Sequence, residues 1–157
     1  MTDLRDGANY APSGQAEQVV GAGEFCFAAA FLDHGHIYGQ TNGLRDAGAT
    51  LKYVYDPNPK RVAKFVATYP KVTVADSLEQ ILSDPSVRLV SAAAVPSQRA
   101  AIGLRVLRAG KDYFTDKSPF TSLEQLKEVR AAVAETGGKY AVYYAERLHN
   151  DAAWQAG

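Results

Sequence analysis

Four short segments hold the residues whose types and spacing could do chemistry. Asp33-His34-Gly35-His36 follows an apolar run, and Asp56-Pro57-Asn58-Pro59 follows a second. Val95-Pro96-Ser97 follows a third, and Thr115-Asp116-Lys117-Ser118-Pro119 a fourth. The lysine is the residue with the widest repertoire: it can stabilise a developing oxyanion, hydrogen-bond a hydroxyl, or transfer a proton if its pKa is lowered. Asp56 can accept hydrogen bonds from a ribose 2′-hydroxyl and would repel a 2′-phosphate; the same side chain can also open an Asx turn. His34-x-His36 beside Asp33 has the look of a metal pair, but the other histidine, His149, is distant in sequence, and a metal is not expected. A turn between a first strand and a first helix is also where glycines let a pyrophosphate approach backbone amides. Phe31-Leu32-Asp33 stands where such glycines would be, Gly35 is out of their register, and Asp33 is placed to cap the helix that follows.

These segments are useful only if a fold brings them together, and the pattern between them specifies one. Phe25–Leu32 is an unbroken apolar run, suited to a strand covered on both faces. A helix ending near Ala47-Gly48 leads to a strand at 51–55. Asn58 and Pro59 supply a cap and a first helical residue, and Val62, Phe65, Val66 and Tyr69 make one apolar stripe. A short strand at 72–74 precedes a helix opened by the capping box Ser77–Gln80, and a fourth strand covers 88–93. Ser97 is expected to cap a helix stopped by Ala109-Gly110. After a strand at 112–115, Thr121-Ser122-Leu123-Glu124 reads as a second capping box, followed by a helix ending at Gly137-Gly138 and a sixth strand at 140–144. Strands alternating with helices demand crossovers, so the predicted fold is α/β: a doubly wound, mainly parallel, six-stranded Rossmann-type sheet with helices on both faces. Ligands then bind beyond the C-terminal strand ends, at residues 33–36, 56–58, 94–97 and 115–119.

Composition bounds the rest. The 157 residues carry 17 Lys plus Arg and 17 Asp plus Glu, and this balance excludes the field a nucleic-acid or membrane-surface binder uses. The length is below the roughly 250 residues of a TIM barrel. Cys26, the one cysteine, excludes an internal disulfide and is expected to be a small buried hydrophobe. No apolar stretch reaches the ~20 residues of a membrane span, and no secretory signal is read, so a cytoplasmic protein is expected. Residues 1–23 read as a flexible leader and 24–157 as one dinucleotide-binding domain.

From Phe25 to about Asn150 the chain resembles the N-terminal domain of the glucose–fructose oxidoreductase and inositol dehydrogenase family (Gfo/Idh/MocA). The segment Ala109-Gly110-Lys111-Asp112-Tyr113-Phe114-Thr115-Asp116-Lys117-Ser118-Pro119 carries most of that resemblance. Asp56-Pro57-Asn58-Pro59, Ala93-Ala94-Val95-Pro96-Ser97 and Tyr143-Tyr144-Ala145-Glu146-Arg147 support it. The resemblance implies an NAD(P)-dependent oxidoreductase acting on a sugar, polyol or similar small hydroxy or keto compound, and Asp56 favours NAD over NADP. It implies Lys117 as the active-site lysine. The dinucleotide would lie on Leu32, Asp33, His34, Gly35, His36, Asp56, Pro96 and Ser97. The chain departs from the family at the glycine fingerprint, at the Asp-Lys-Ser-Pro spacing, and at Arg99 where many members have His. The family's second, substrate-binding domain has no counterpart after the sixth strand, so little turnover is expected of this chain alone, and a small-molecule substrate only of a two-domain form. The alternative reading is a non-catalytic Rossmann-like module that works by self-association through its sixth-strand edge and Trp154.

Overall fold

The computed structural model describes residues 17–144, which form one six-stranded sheet with five helices. In chain order the elements are β1 (Cys26–Ala30), α1 (His36–Asp46), β2 (Thr50–Tyr55), α2 (Pro59–Thr68), β3 (Thr73–Val74), α3 (Leu78–Ser83), β4 (Val87–Ala92), α4 (Pro96–Arg108), β5 (Asp112–Asp116), α5 (Leu123–Thr136) and β6 (Tyr140–Tyr143). The sheet order is β3-β2-β1-β4-β5-β6. Every recorded pairing is parallel. The winding direction therefore reverses between β1 and β4, which is where a doubly wound sheet opens its ligand crevice.

The apolar run of β1 fits a central strand because both its faces are covered. Successive side chains alternate between faces: Ala28 and Ala30 join a cluster with Leu78, Ile81, Val90 and Tyr113, whereas Ala29 joins Ile37, Val54 and Phe65 on the other side. The α2 stripe buries Phe65 and Tyr69 fully or nearly so, with Val62 and Val66 packed beside them. Small residues allow the close approach of α4 to the sheet: a Cβ at Gly103 would lie 2.5 Å from the Tyr140 ring and 2.8 Å from that of Tyr113. Gly110 ends α4 in the left-handed region (φ 74°), so that its own N–H and that of Lys111 donate to Leu107 and Val106.

The helix starts depart in detail from the sequence reading. Asn58 caps α2 and Ser77 caps α3, each accepting from the second or third backbone amide on. The second capping box, however, is shifted by one residue. Ser122, not Thr121, caps α5, and the Gln125 side chain rather than that of Glu124 accepts the returning N–H, from Thr121. In α3 the Gln80 side chain likewise takes the amide of Asp76, one residue before the cap. Ser97 is not a cap either. Pro96, with its φ already helical, begins α4 after Val95, so Ser97 lies within the first turn and no side chain caps this end. Cys26 is partly rather than fully buried, with its Sγ 3.8 Å from the Gly23 carbonyl. Residues 17–23, in the expected leader, bond to the α1–β2 corner: Val19 donates to the Ala47 carbonyl and Gly23 to the Thr50 hydroxyl. Ala145-Glu146-Arg147, His149 and Trp154 lie outside the described residues. No helix among the described residues is long and apolar enough to cross a membrane.

Candidate active site at the C-terminal edge of the sheet

The turn after β1 is built by backbone bonds to the strands on either side. Phe31 donates to the Tyr55 carbonyl, Ala93 donates to Phe31, and His34 donates to Ala93. Phe31 itself has φ 53°, the left-handed region that glycine enters freely and a bulky residue enters at a cost of about 1–3 kcal/mol. The tight turn of a dinucleotide fold is thus retained without its glycine, held by those three bonds and by an edge-on contact with Tyr55 at 5.8 Å.

Asp56, at the end of β2, is drawn into this turn. Its side chain has no exposed surface. One oxygen accepts from the Leu32 amide at 2.6 Å and the other from the Asn58 amide at 2.7 Å. The Asx turn anticipated as the plainer role of Asp56 is therefore present, with an added tie to buried Leu32. The Arg61 guanidinium lies 3.5 Å from the Asp56 carboxylate and 2.7 Å from that of Asp33. This bond changes the expectation for Asp33, which does not cap α1. The N-cap is Gly35, with no side-chain cap and no acid in the first helical turn. The amide of His36, the first helical residue, donates instead to His34 Nδ1 at 3.2 Å, and a Cβ at Gly35 would have nothing within 4 Å.

The second half of the site hangs on Asp116, the last residue of β5. Its side chain is 2% exposed and collects four partners. His36 Nδ1 is 2.9 Å from one oxygen, which also accepts from the Lys117 amide at 2.8 Å. Arg99 Nη2 is 3.3 Å and His34 Nδ1 3.4 Å from the other. Buried Arg99 also donates to the carbonyls of Ala94, at 2.6 Å, and Ser118, at 3.2 Å, so it locks the ends of β4 and β5 together rather than facing a ligand. Half-buried Lys117 follows directly, at the crevice mouth. Pro96 and Ser97 are exposed on the first turn of α4. The structure thus joins His34, His36 and the residue before Lys117 through one carboxylate, and joins Leu32 and Asp33 to the end of β2 through Asp56 and Arg61. It records no contact of Pro96 or Ser97 with either group.

Arg61 is the participant that sequence reasoning missed; Asp116 stood in the expected ligand segment and Arg99 among the departures from the family, neither with this role. Asp116 was legible as the strand-end residue beside the candidate lysine. Arg61 stands three residues after the Asn58 cap, hence over the first turn of α2. His36 also touches Tyr143 of β6, ring to ring at 5.7 Å, and burial pushes the Tyr143 hydroxyl above its ordinary pKa.

Comparison with known proteins agrees with this architecture. Residues 18–144 match the oxidoreductase family described by its NAD-binding Rossmann fold (Gfo/Idh/MocA). Among solved structures, a chain of Erwinia carotovora atroseptica assigned as an oxidoreductase shares 47% identity at a TM-score of 0.79, over 84% of this chain and 40% of that one. GenD2 of gentamicin A biosynthesis, solved with NAD, aligns at TM-score 0.70 and 20% identity, over 82% of this chain and 36% of that one. Biliverdin reductase of Synechocystis, solved with biliverdin and NADP+, aligns at 0.70 and 20%, over 81% and 40%. No curated protein matches. This chain spans well under half the length of these solved relatives. With its strand order, its crevice and its match over residues 18–144, the chain belongs to the Gfo/Idh/MocA oxidoreductase family, as an NAD-binding Rossmann domain.

Proposed function

We propose that this domain holds the dinucleotide of an oxidoreductase acting on a sugar, polyol or similar small hydroxy or keto compound, the substrate being completed by a part of the family architecture that lies beyond this fold. The observation that carries the reading is the convergence of the N-terminal end of α1 with the Asp116–Lys117 strand end at the point where the sheet reverses its winding. In this reading the pyrophosphate lies against residues 32–36, and Pro96 and Ser97 line the nicotinamide side. The nicotinamide supplies or accepts hydride. Lys117 contacts cofactor and substrate and holds the substrate hydroxyl, or the oxyanion that replaces it, with its ammonium group. Asp116 and Arg99 fix the backbone from which that lysine projects.

NAD is favoured over NADP by the charge at the β2 edge. Asp33 and Asp56 outnumber Arg61, so a 2′-phosphate would meet one net negative charge. Asp56 acts chiefly by holding the turn, and Asp33 is the partly exposed carboxylate there. Calorimetric titration with NADH and with NADPH tests both parts. The expected result is tighter binding of NADH. Arg61→Ala should weaken NADPH more than NADH, and Asp33→Asn should narrow the difference between them. Absence of binding by either nucleotide up to millimolar concentration overturns the reading. An Asp33→Asn variant with unchanged selectivity overturns the charge argument alone.

A further inference from the structure

His34, His36 and Asp116 place two imidazoles and a buried carboxylate around one point. Their ligand atoms all lie within 4.8 Å of one another. The two Nδ1–carboxylate separations are 2.9 and 3.4 Å. Bonds of about 2.0–2.2 Å to a tetrahedral ion put neighbouring ligand atoms roughly 3.3 Å apart, so coordination asks the widest pair to close by at most about 1.5 Å. The imidazole rings are 4.2 Å apart at 74°, so their nitrogens converge on the carboxylate without the rings stacking face to face.

A second observation concerns charge. The His36 amide donates to His34 Nδ1 at 3.2 Å, so this nitrogen carries a lone pair. The same nitrogen lies 3.4 Å from an Asp116 oxygen. Arg99 reaches the same oxygen from the buried side, but His34 lies on the open side, with its side chain 54% exposed. Asp116 is oriented as a ligating carboxylate should be, by Arg99 and by the Lys117 amide.

We propose that His34, His36 and Asp116 form a site for a divalent transition metal of the zinc type, with its remaining coordination position open to solvent. Imidazole nitrogen selects late first-row ions over magnesium or calcium, and two histidines with one carboxylate leave that position for water or another ligand. Binding exchanges the long His36 amide contact for a coordinate bond to His34, and replaces the proton between His36 Nδ1 and Asp116, which is released to solvent. The bound ion cross-links the turn after β1 to the end of β5. The nearby Arg99 charge opposes the ion, so affinity is micromolar rather than that of a structural zinc site.

The test uses the untagged full chain, stripped of metal with a chelator, titrated with Co2+ and then with Zn2+ in competition. The expected result is one equivalent of Co2+ with the visible bands of a four-coordinate ion, displaced by Zn2+. His34→Ala and His36→Ala should each weaken binding by about tenfold or more, as should Asp116→Asn. His149→Ala should leave it unchanged. No Co2+ or Zn2+ binding up to millimolar concentration, or binding that survives both histidine substitutions, overturns the site. Because Asp116 is buried and tied to Arg99, its variant is checked by circular dichroism. If it does not fold, the histidine variants decide. Metal binding is read without nucleotide, so it stands or falls separately from the dinucleotide reading.

Discussion

The Asp56 carboxylate shows how one residue type can satisfy two expectations that seem to compete. An acid at this strand end suits a ribose hydroxyl, yet both its oxygens are occupied by the amides of Leu32 and Asn58. Removing it would leave the Leu32 N–H, in a buried setting, without its acceptor. Asp56→Ala should therefore lower unfolding stability by about 1–3 kcal/mol, read from urea midpoints, besides weakening dinucleotide binding. If stability is unchanged and only NADH affinity falls, Asp56 is a ligand and not the keeper of the turn. Its importance was legible from sequence, as a lone acid between an apolar strand and a Pro-Asn-Pro turn. Its partner was not, because Leu32 lies 24 residues away and spacing along the chain does not reveal which amide a carboxylate will reach. Asp116 is the same case at larger separation: 80 residues part it from His36, so a histidine pair that looked incomplete in sequence acquires its third member only through the sheet order.

At the scale of elements the sequence was a better guide. Six strands and five helices stand within a residue or two of where apolar periodicity, capping residues and glycine stops put them. The misplacements fall at helix starts, where neighbouring residues compete for the same amides. Thr121 and Ser122 are both good caps, and the sequence Thr-Ser-Leu-Glu-Gln offers two overlapping boxes. The Ser122–Gln125 register wins. In it Gln125 satisfies the amide of Thr121, and Val129 is buried in a cluster with Ala100, Leu104 and Leu107 of α4. Ser122→Ala should cost about 1 kcal/mol of stability, whereas Thr121→Ala should cost only a few tenths, since Thr121 contributes its amide and a hydroxyl contact to the same Gln125 oxygen. Thermal or urea unfolding of the two variants side by side checks this. A larger loss for Thr121→Ala would restore the register read from sequence.

Across the whole molecule, the two ends of the sheet are specialised. His34, His36, Arg61 and Lys117 collect at the C-terminal edge, where β1 ends at Ala30 and β5 at Asp116. At the opposite edge Asp84 gathers what holds the layers together. Its carboxylate accepts from Lys52 at 2.6 Å, Tyr53 at 3.0 Å and both the amide and hydroxyl of Ser86. Its backbone carbonyl takes the ammonium of buried Lys111, which also bonds the Val87 carbonyl. This hub ties β2, the α3–β4 loop and the start of β5, and it is remote from the crevice, so it can be altered without touching the ligand edge. The Lys52 ammonium, and then Ser86, hold the Asp84 carboxyl far below the usual carboxylate range. A carboxyl with a depressed folded pKa stabilises the fold above its unfolded value of about 4, and that contribution is lost as pH falls toward the folded value. Asp84→Asn should therefore lower the urea midpoint at pH 7, with the gap between variant and parent narrowing steadily from about pH 4 downward. NADH affinity, measured on the folded variant at neutral pH, should stay within about twofold, since sites this far apart with no shared partners act nearly independently. A gap that is the same at pH 7 and pH 3 would mean that Asp84 acts through shape and hydrogen bonds that asparagine cannot reproduce. The charge would then not be what joins the layers.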